Sequence, residues 1–225
     1  MNVISQDGAL ATLIFIPDEV RPLRGFHLPA LLREAGARYG AAKSPSTEDA
    51  RSPAGARFEN GLYISNDREV PIGFFSLHND AIVVATTDTS DSDLVINDIF
   101  NWMKDRFGFR EPSTAPMRVY QSDLIVRFDN DPAEPFTALT NFIDFLNASM
   151  IPENARSKKP IQFNAIAFGG DPTAPGLTPE FTVARRVGVP WHLGLYFSKA
   201  HMTTPNHIRA LGLLDEFLGM RKRYR

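Results

Sequence analysis

The chain reads as an α+β fold in which consecutive antiparallel strands carry helices on one face. Three observations predict it. Apolar residues recur at helical spacing in four segments, short alternating runs lie between them, and the order of elements in the first half returns in the second, offset by roughly 110 residues. Each half reads strand, helix, three strands, helix. The expectation is two similar halves, 1–110 and 117–225, packed as one pseudo-two-fold body with a largely antiparallel sheet. Residue identity between the halves is poor, so the repeat is one of structure and not of sequence.

In the first half Thr12–Ile16 is expected as a strand and Leu28–Tyr39 as a helix. Leu28, Leu31, Leu32, Ala35 and Tyr39 fall on one helical face, with Gly40 as its stop. Strands follow at Leu62–Ser65, Ile72–Leu77 and Ile82–Thr87, with Asn79-Asp80 as a hairpin turn. Ser92–Phe107 closes the half. Ile96, Ile99, Phe100, Met103 and Phe107 share a face, Ser90, Asp91 and Ser92 are competent caps, and Gly108 suits the end.

In the second half Val119–Phe128 alternates, with Tyr120, Leu124, Val126 and Phe128 opposed to Gln121, Asp123, Arg127 and Asp129. Phe136–Ala148 is expected as a helix with a stripe of Phe136, Leu139, Ile143, Leu146 and Met150. Strands at Ile161–Phe168, Phe181–Val187 and Leu193–Phe197 follow, the last two joined through Gly188-Val189-Pro190. Leu193, Leu195 and Phe197 there oppose His192, Gly194 and Tyr196. Pro205–Leu218 ends the half, capped by Thr204 and stopped by Gly219. Ala41–Ala56, Glu111–Pro116 and Gly169–Pro179 read as loops.

Composition bounds the function. The 225 residues are 43% hydrophobic with 17 Phe, enough for a real core. A formal net charge of −2 gives no global pull toward nucleic acid or an anionic membrane. The absence of cysteine excludes disulfides, thiolate metal sites and Cys nucleophiles. The first residues lack the basic start and apolar core of a signal peptide, and no stretch approaches the roughly 20 apolar residues of a membrane span. A soluble cytoplasmic protein with no membrane association is expected.

Several constellations carry chemistry, each with a plainer reading beside it. The run Asp88-Thr89-Ser90-Asp91-Ser92-Asp93 offers oxygens for a hard cation but lacks the glycine and terminal glutamate of a calcium loop, so capping is the better account. His192, His201 and His207 match no zinc spacing. Gly169-Gly170-Asp171 lacks the Lys-Ser/Thr ending of a phosphate loop and reads as a hairpin connection. No Gly-x-Ser-x-Gly, His-Glu-x-x-His or kinase signature occurs. Arg185-Arg186 lies mid-strand, so one arginine must face the core and find a carboxylate or carbonyls there. The tail Arg221-Lys222-Arg223-Tyr224-Arg225 can grip phosphates or simply complement a helix end.

The reading these features favour is a non-enzymatic binding or assembly protein without cofactor or metal. It would act through protein–protein contacts or self-association at a sheet edge, in the manner of an immunity or defence-linked factor that occludes a partner. Its contact residues are expected among Asp123, Arg127, Arg185, His192 and Tyr196 on an open sheet face. The alternatives are a metal-dependent hydrolase or nuclease using Asp88, Asp123 or Asp129, and nucleic-acid binding through Arg221, Lys222, Arg223 and Arg225.

Overall fold

A computed structural model describes all residues except 53–54, 66–67, 151–160, 172, 174–177 and 223–225. The chain is α+β, and its described residues form an eight-stranded antiparallel sheet and five α-helices. In chain order they are β1 Asn2–Ile14, α1 Pro17–Val20, α2 Leu28–Arg38, β2 Ala56–Ser65, β3 Arg68–Leu77, β4 Ala81–Thr86, α3 Thr89–Phe107, β5 Met117–Arg127, α4 Thr140–Met150, β6 Ala165–Gly169, β7 Glu180–Arg185, β8 Leu195–Ala200 and α5 Thr204–Lys222. The strands are ordered β2-β3-β4-β1-β5-β8-β7-β6. Contacts divide the chain into one unit of Gln6–Asp123 with His201–Thr204 and another of Met1–Ser5, Leu124–Ala200 and Pro205–Arg225.

In the unit built on Gln6–Asp123, β1 pairs antiparallel with β4, β4 with β3 and β3 with β2. Ala11 and Leu13 of β1 alternate toward the same core as Ile82 and Val84 of β4. Onto that surface α3 lays Val95, Ile96, Ile99, Phe100 and Met103, and α2 lays Leu31, Leu32 and Ala35. Full burial of one such side chain stabilises by about 1.5–3 kcal/mol, so these stripes hold the helices down. Asn79-Asp80 forms the expected hairpin turn, closed by the His78 N–H to the Ala81 carbonyl at 2.8 Å. Inside the expected loop Ala41–Ala56, Asp49 accepts from the Ser46 N–H and hydroxyl, both at 2.8 Å, and sets a single 3₁₀ turn at Asp49–Arg51.

In the other unit β8 pairs with β7 and β7 with β6. Leu124, Val126, Phe128, Val183, Tyr196, Leu211 and Leu218 form its core. Buried Ser198 and His207 share a hydrogen bond of 2.8 Å, and the Ser198 hydroxyl also reaches the Thr182 carbonyl at 2.7 Å.

The structure corrects several boundaries. The first strand starts ten residues before the expected Thr12, and Pro17 opens a short helix just after it. The stretch Ile161–Asn164 is outside β6, because the Asn147 amide takes the Ile161 N–H at 2.6 Å and donates to its carbonyl at 3.2 Å, diverting it from the ladder. Trp191–Leu193 is a 3₁₀ turn ended by Gly194 at φ +61°, so His192 is not on a strand. The expected helix Phe136–Ala148 begins as a 3₁₀ segment, Glu134–Leu139, and its α-helical part buries no residue. Gly219 lies within α5 and does not stop it; a Cβ there would stand 2.9 Å from the Asn130 side chain, so close approach explains the glycine.

The cap of α3 is Asp88, one turn earlier than Ser92, and its carboxylate accepts the Ser90 N–H at 2.7 Å. Replacing Asp88 by Ala is expected to lower unfolding free energy by about 1 kcal/mol, read as a shift in urea midpoint with unchanged m-value.

Candidate functional site

The residues that the sequence singled out fall in both units. In the Leu124–Ala200 unit, Arg185 and Tyr196 are directly opposed in the β7–β8 register. Both face the core: the Arg185 side chain is 9% exposed and Tyr196 is 2% exposed. Tyr196 is thus not on an open face. Its hydroxyl donates to Asp131 at 2.8 Å, and Arg185 Nη2 reaches the same carboxylate oxygen at 3.4 Å. Arg185 Nη1 donates to the Trp191 carbonyl at 3.0 Å, and the guanidinium sits 4.7 Å from the Tyr196 ring centroid and 5.6 Å from that of Trp191. Arg185 is the last residue of β7, so the Arg185-Arg186 pair stands at the strand end and not mid-strand. The Arg185 Nη atoms meet a carboxylate and a carbonyl, while its buried Nε has no hydrogen-bond partner among the described residues.

Asp131 is positioned by local turn chemistry. Its Oδ1 accepts the Ala133 N–H at 3.0 Å across Pro132, and its own carbonyl accepts the Glu134 N–H at 3.0 Å. Burial first, and then the Asp131 contact, holds the Tyr196 phenol above its ordinary range. A neutral phenol, a guanidinium and a carboxylate so engaged make a buried structural cluster. They do not make a nucleophile. His192 lies beside Trp191 in the same 3₁₀ turn, exposed, and Arg127 is exposed on the other side of its strand from Val126. Sequence reading missed Asp131 and Trp191. The Asn-Asp-Pro turn at 130–132 was the available signal.

Next to it, Asp215 accepts the Asn130 N–H at 3.0 Å and the Met1 ammonium at 2.7 Å, while Asp129 also binds that ammonium. Burial alone would raise the Asp215 pKa, but these donors outweigh it and leave the carboxyl below the usual carboxylate value.

In the Gln6–Asp123 unit, Asp123 lines a cleft of about 640 Å³ on the sheet, together with Asp7, Leu10, Gly73, Phe74 and Gln121. The Gln121 amide donates to both Asp123 oxygens at 3.2 Å. The face expected to be polar along β5 is interrupted by Ile125, which is 1% exposed.

The acids weighed for a metal do not gather. Asp88 caps α3, Asp91 pairs with Arg68, and Asp93 holds Arg118 and the Tyr120 hydroxyl. Among the described residues no group of three or more His, Asp or Glu side chains could hold a metal ion. The histidines divide likewise: His207 is buried against Ser198, and His201 falls in the other unit from His192 and His207. A buried Ser–His pair whose hydroxyl already donates to Thr182 has no access to substrate. Arg221 and Lys222 continue the backbone of α5, and Arg223 and Arg225 lie outside the described residues. No described helix is long and apolar enough to cross a membrane.

Two measurements probe this site. Tyr196→Phe should cost about 1 kcal/mol and Asp131→Ala about 1–3 kcal/mol, because the latter leaves Arg185 without its carboxylate; a double-mutant cycle should show the two coupled. For Asp215, a depressed folded-state pKa stabilises above the unfolded carboxylate value of about 4, and that contribution is lost as pH falls through the folded value. Denaturant titrations across this acid range should therefore show a steeper loss for the wild type than for Asp215→Asn.

Compared with known proteins, the chain matches no family model, and no curated protein matches it.

Proposed function

We propose that this chain acts by protein–protein contact, and that its partner is a second copy of itself. One observation carries the reading: α4 exposes Phe142, Phe145 and Met150 at 56, 63 and 68% while burying no residue. A helix with apolar side chains in water loses the burial that ordinarily stabilises a short helix, and a docked surface restores it. The edge strand β6 supports the same route. Its sequence Ala-Ile-Ala-Phe-Gly carries no charge and no proline, the residues that ordinarily blunt an edge, and Phe168 is 58% exposed. The opposite end of the strand order is treated differently, since Lys43 bridges to Glu59 and covers part of β2.

The two halves are also proposed to be a structural repeat. Support comes from their wiring, β2-β3-β4-β1 in one and β6-β7-β8-β5 in the other. Three matched pairs agree in length, α2 and α4 at 11 residues each, β4 and β8 at six and α3 and α5 at 19, whereas β2 and β3 at 10 each exceed β6 at five and β7 at six. Thr89 and Thr204, the first residues of those long helices, exchange hydrogen bonds through N–H and hydroxyl at 3.2 and 2.8 Å.

Sedimentation velocity over a wide concentration range should show reversible self-association, weakened by Phe142→Glu with Phe145→Glu. Positions so exposed tolerate charge, so the variant should keep its helical circular dichroism. A strict monomer at all concentrations would end this reading.

A further inference from the structure

The Gln6–Asp123 unit holds a separate pocket of about 200 Å³ that none of the features above uses. Its inner wall is apolar and buried: Leu31, Leu32, Ala56, Ile82 and Met103. Its outer end is polar, formed by exposed Arg21 and Asn79 and half-buried His78, with Phe26 beside them. We propose that this pocket binds a small apolar carboxylic acid, on the scale of one aromatic ring or a short branched chain.

Size and polarity argue together. A dry cavity of about 150 Å³ admits benzene, so this volume takes a ring and little more. A pure hydrocarbon leaves the polar end unused, and a cation would meet the guanidinium. An acid matches both ends, because a guanidinium offers two parallel N–H donors to a carboxylate. No carboxylate lines the pocket, and Arg21 has no ion-pair partner among the described residues.

The polar end is built, not incidental. The Arg21 N–H closes α1 onto the Pro17 carbonyl at 3.0 Å, and the Arg21 carbonyl accepts from Arg110 Nε at 2.8 Å. Pro22 to Gly25 turns through a 3.0 Å hydrogen bond, with Gly25 at φ +70°, and brings Phe26 to 5.1 Å from Phe109. His78 packs flat on Gly55, where a Cβ would lie 2.6 Å from the ring and φ is +71°. Small residues at 50 and 56 leave the space open.

The proposal is tested with phenylacetate and isovalerate as probes, phenylacetamide as the uncharged control, and methyl NMR of the full chain. Saturable shifts at Leu31, Leu32, Ile82 and Met103 are expected for one or both acids. Roughly tenfold or greater weakening is expected for the amide and for Arg21→Gln, and loss of binding for the filling variant Ala50→Phe. Arg21 is exposed, so R21Q keeps the test decisive where A50F fails to fold. Absence of saturable shifts with both acids, equal binding of acid and amide, or wild-type binding by R21Q or by folded A50F would each overturn it. None of these readouts depends on oligomeric state, so the contact reading stands or falls separately.

Discussion

The burial of the α3 stripe against strands β1 and β4 is the constraint on which the Gln6–Asp123 unit depends. Val95, Ile96 and Ile99 are all 0% exposed, and Val84 beneath them is 0% exposed as well. At about 1.5–3 kcal/mol per buried side chain, this packing outweighs any single polar contact in the unit. It also fixes the rotation of the helix about its axis. Once that stripe faces the sheet, Asp91 and Asp93 must point along its flanks, where Arg68 and Arg118 meet them. The acidic run at 88–93 is thus committed to helix geometry before any ligand is considered.

The same economy governs the buried polar groups. Tyr39 is 1% exposed and donates to Asp98 at 2.6 Å, and Arg38 holds the other carboxylate oxygen at 2.9 Å. In the other unit Tyr196 finds Asp131, and Ser198 finds His207 and Thr182. A buried hydroxyl or charge left unmatched costs about 1–3 kcal/mol, so these pairings are what allow tyrosine, arginine and histidine into the core at all. Groups used in this way are not at hand for catalysis.

Some apolar surface and volume is left uncovered among the described residues. Phe142, Phe145 and Met150 on α4 and Phe168 on β6 present surface that water does not stabilise, and the small pocket behind Arg21 presents volume that the core residues do not fill. The two differ in kind. On the readings proposed above, the exposed helix suits a broad partner surface, whereas the narrow cavity lined by Arg21 suits a small molecule chosen by size and charge.

The sequence by itself determined the fold class and the placement of most elements. Helical and strand periodicities are local, so Leu31, Leu32 and Ala35, or Ile96, Ile99 and Phe100, declare their faces without knowledge of the rest. The turn at Asn79-Asp80 and the ionic needs of Arg185 were legible for the same reason. Where local signals compete, reading failed: the Asn147 amide captured Ile161, Gly194 turned His192 off its strand, and α4 carried a core-like stripe that buries nothing. Only the tertiary structure decided which groups converge. Asp131 lies 54 residues from Arg185 and 65 from Tyr196, and Asn130 lies 85 from Asp215. Strand register and helix packing bring such residues together, and neither is encoded within a window short enough for periodicity to reveal.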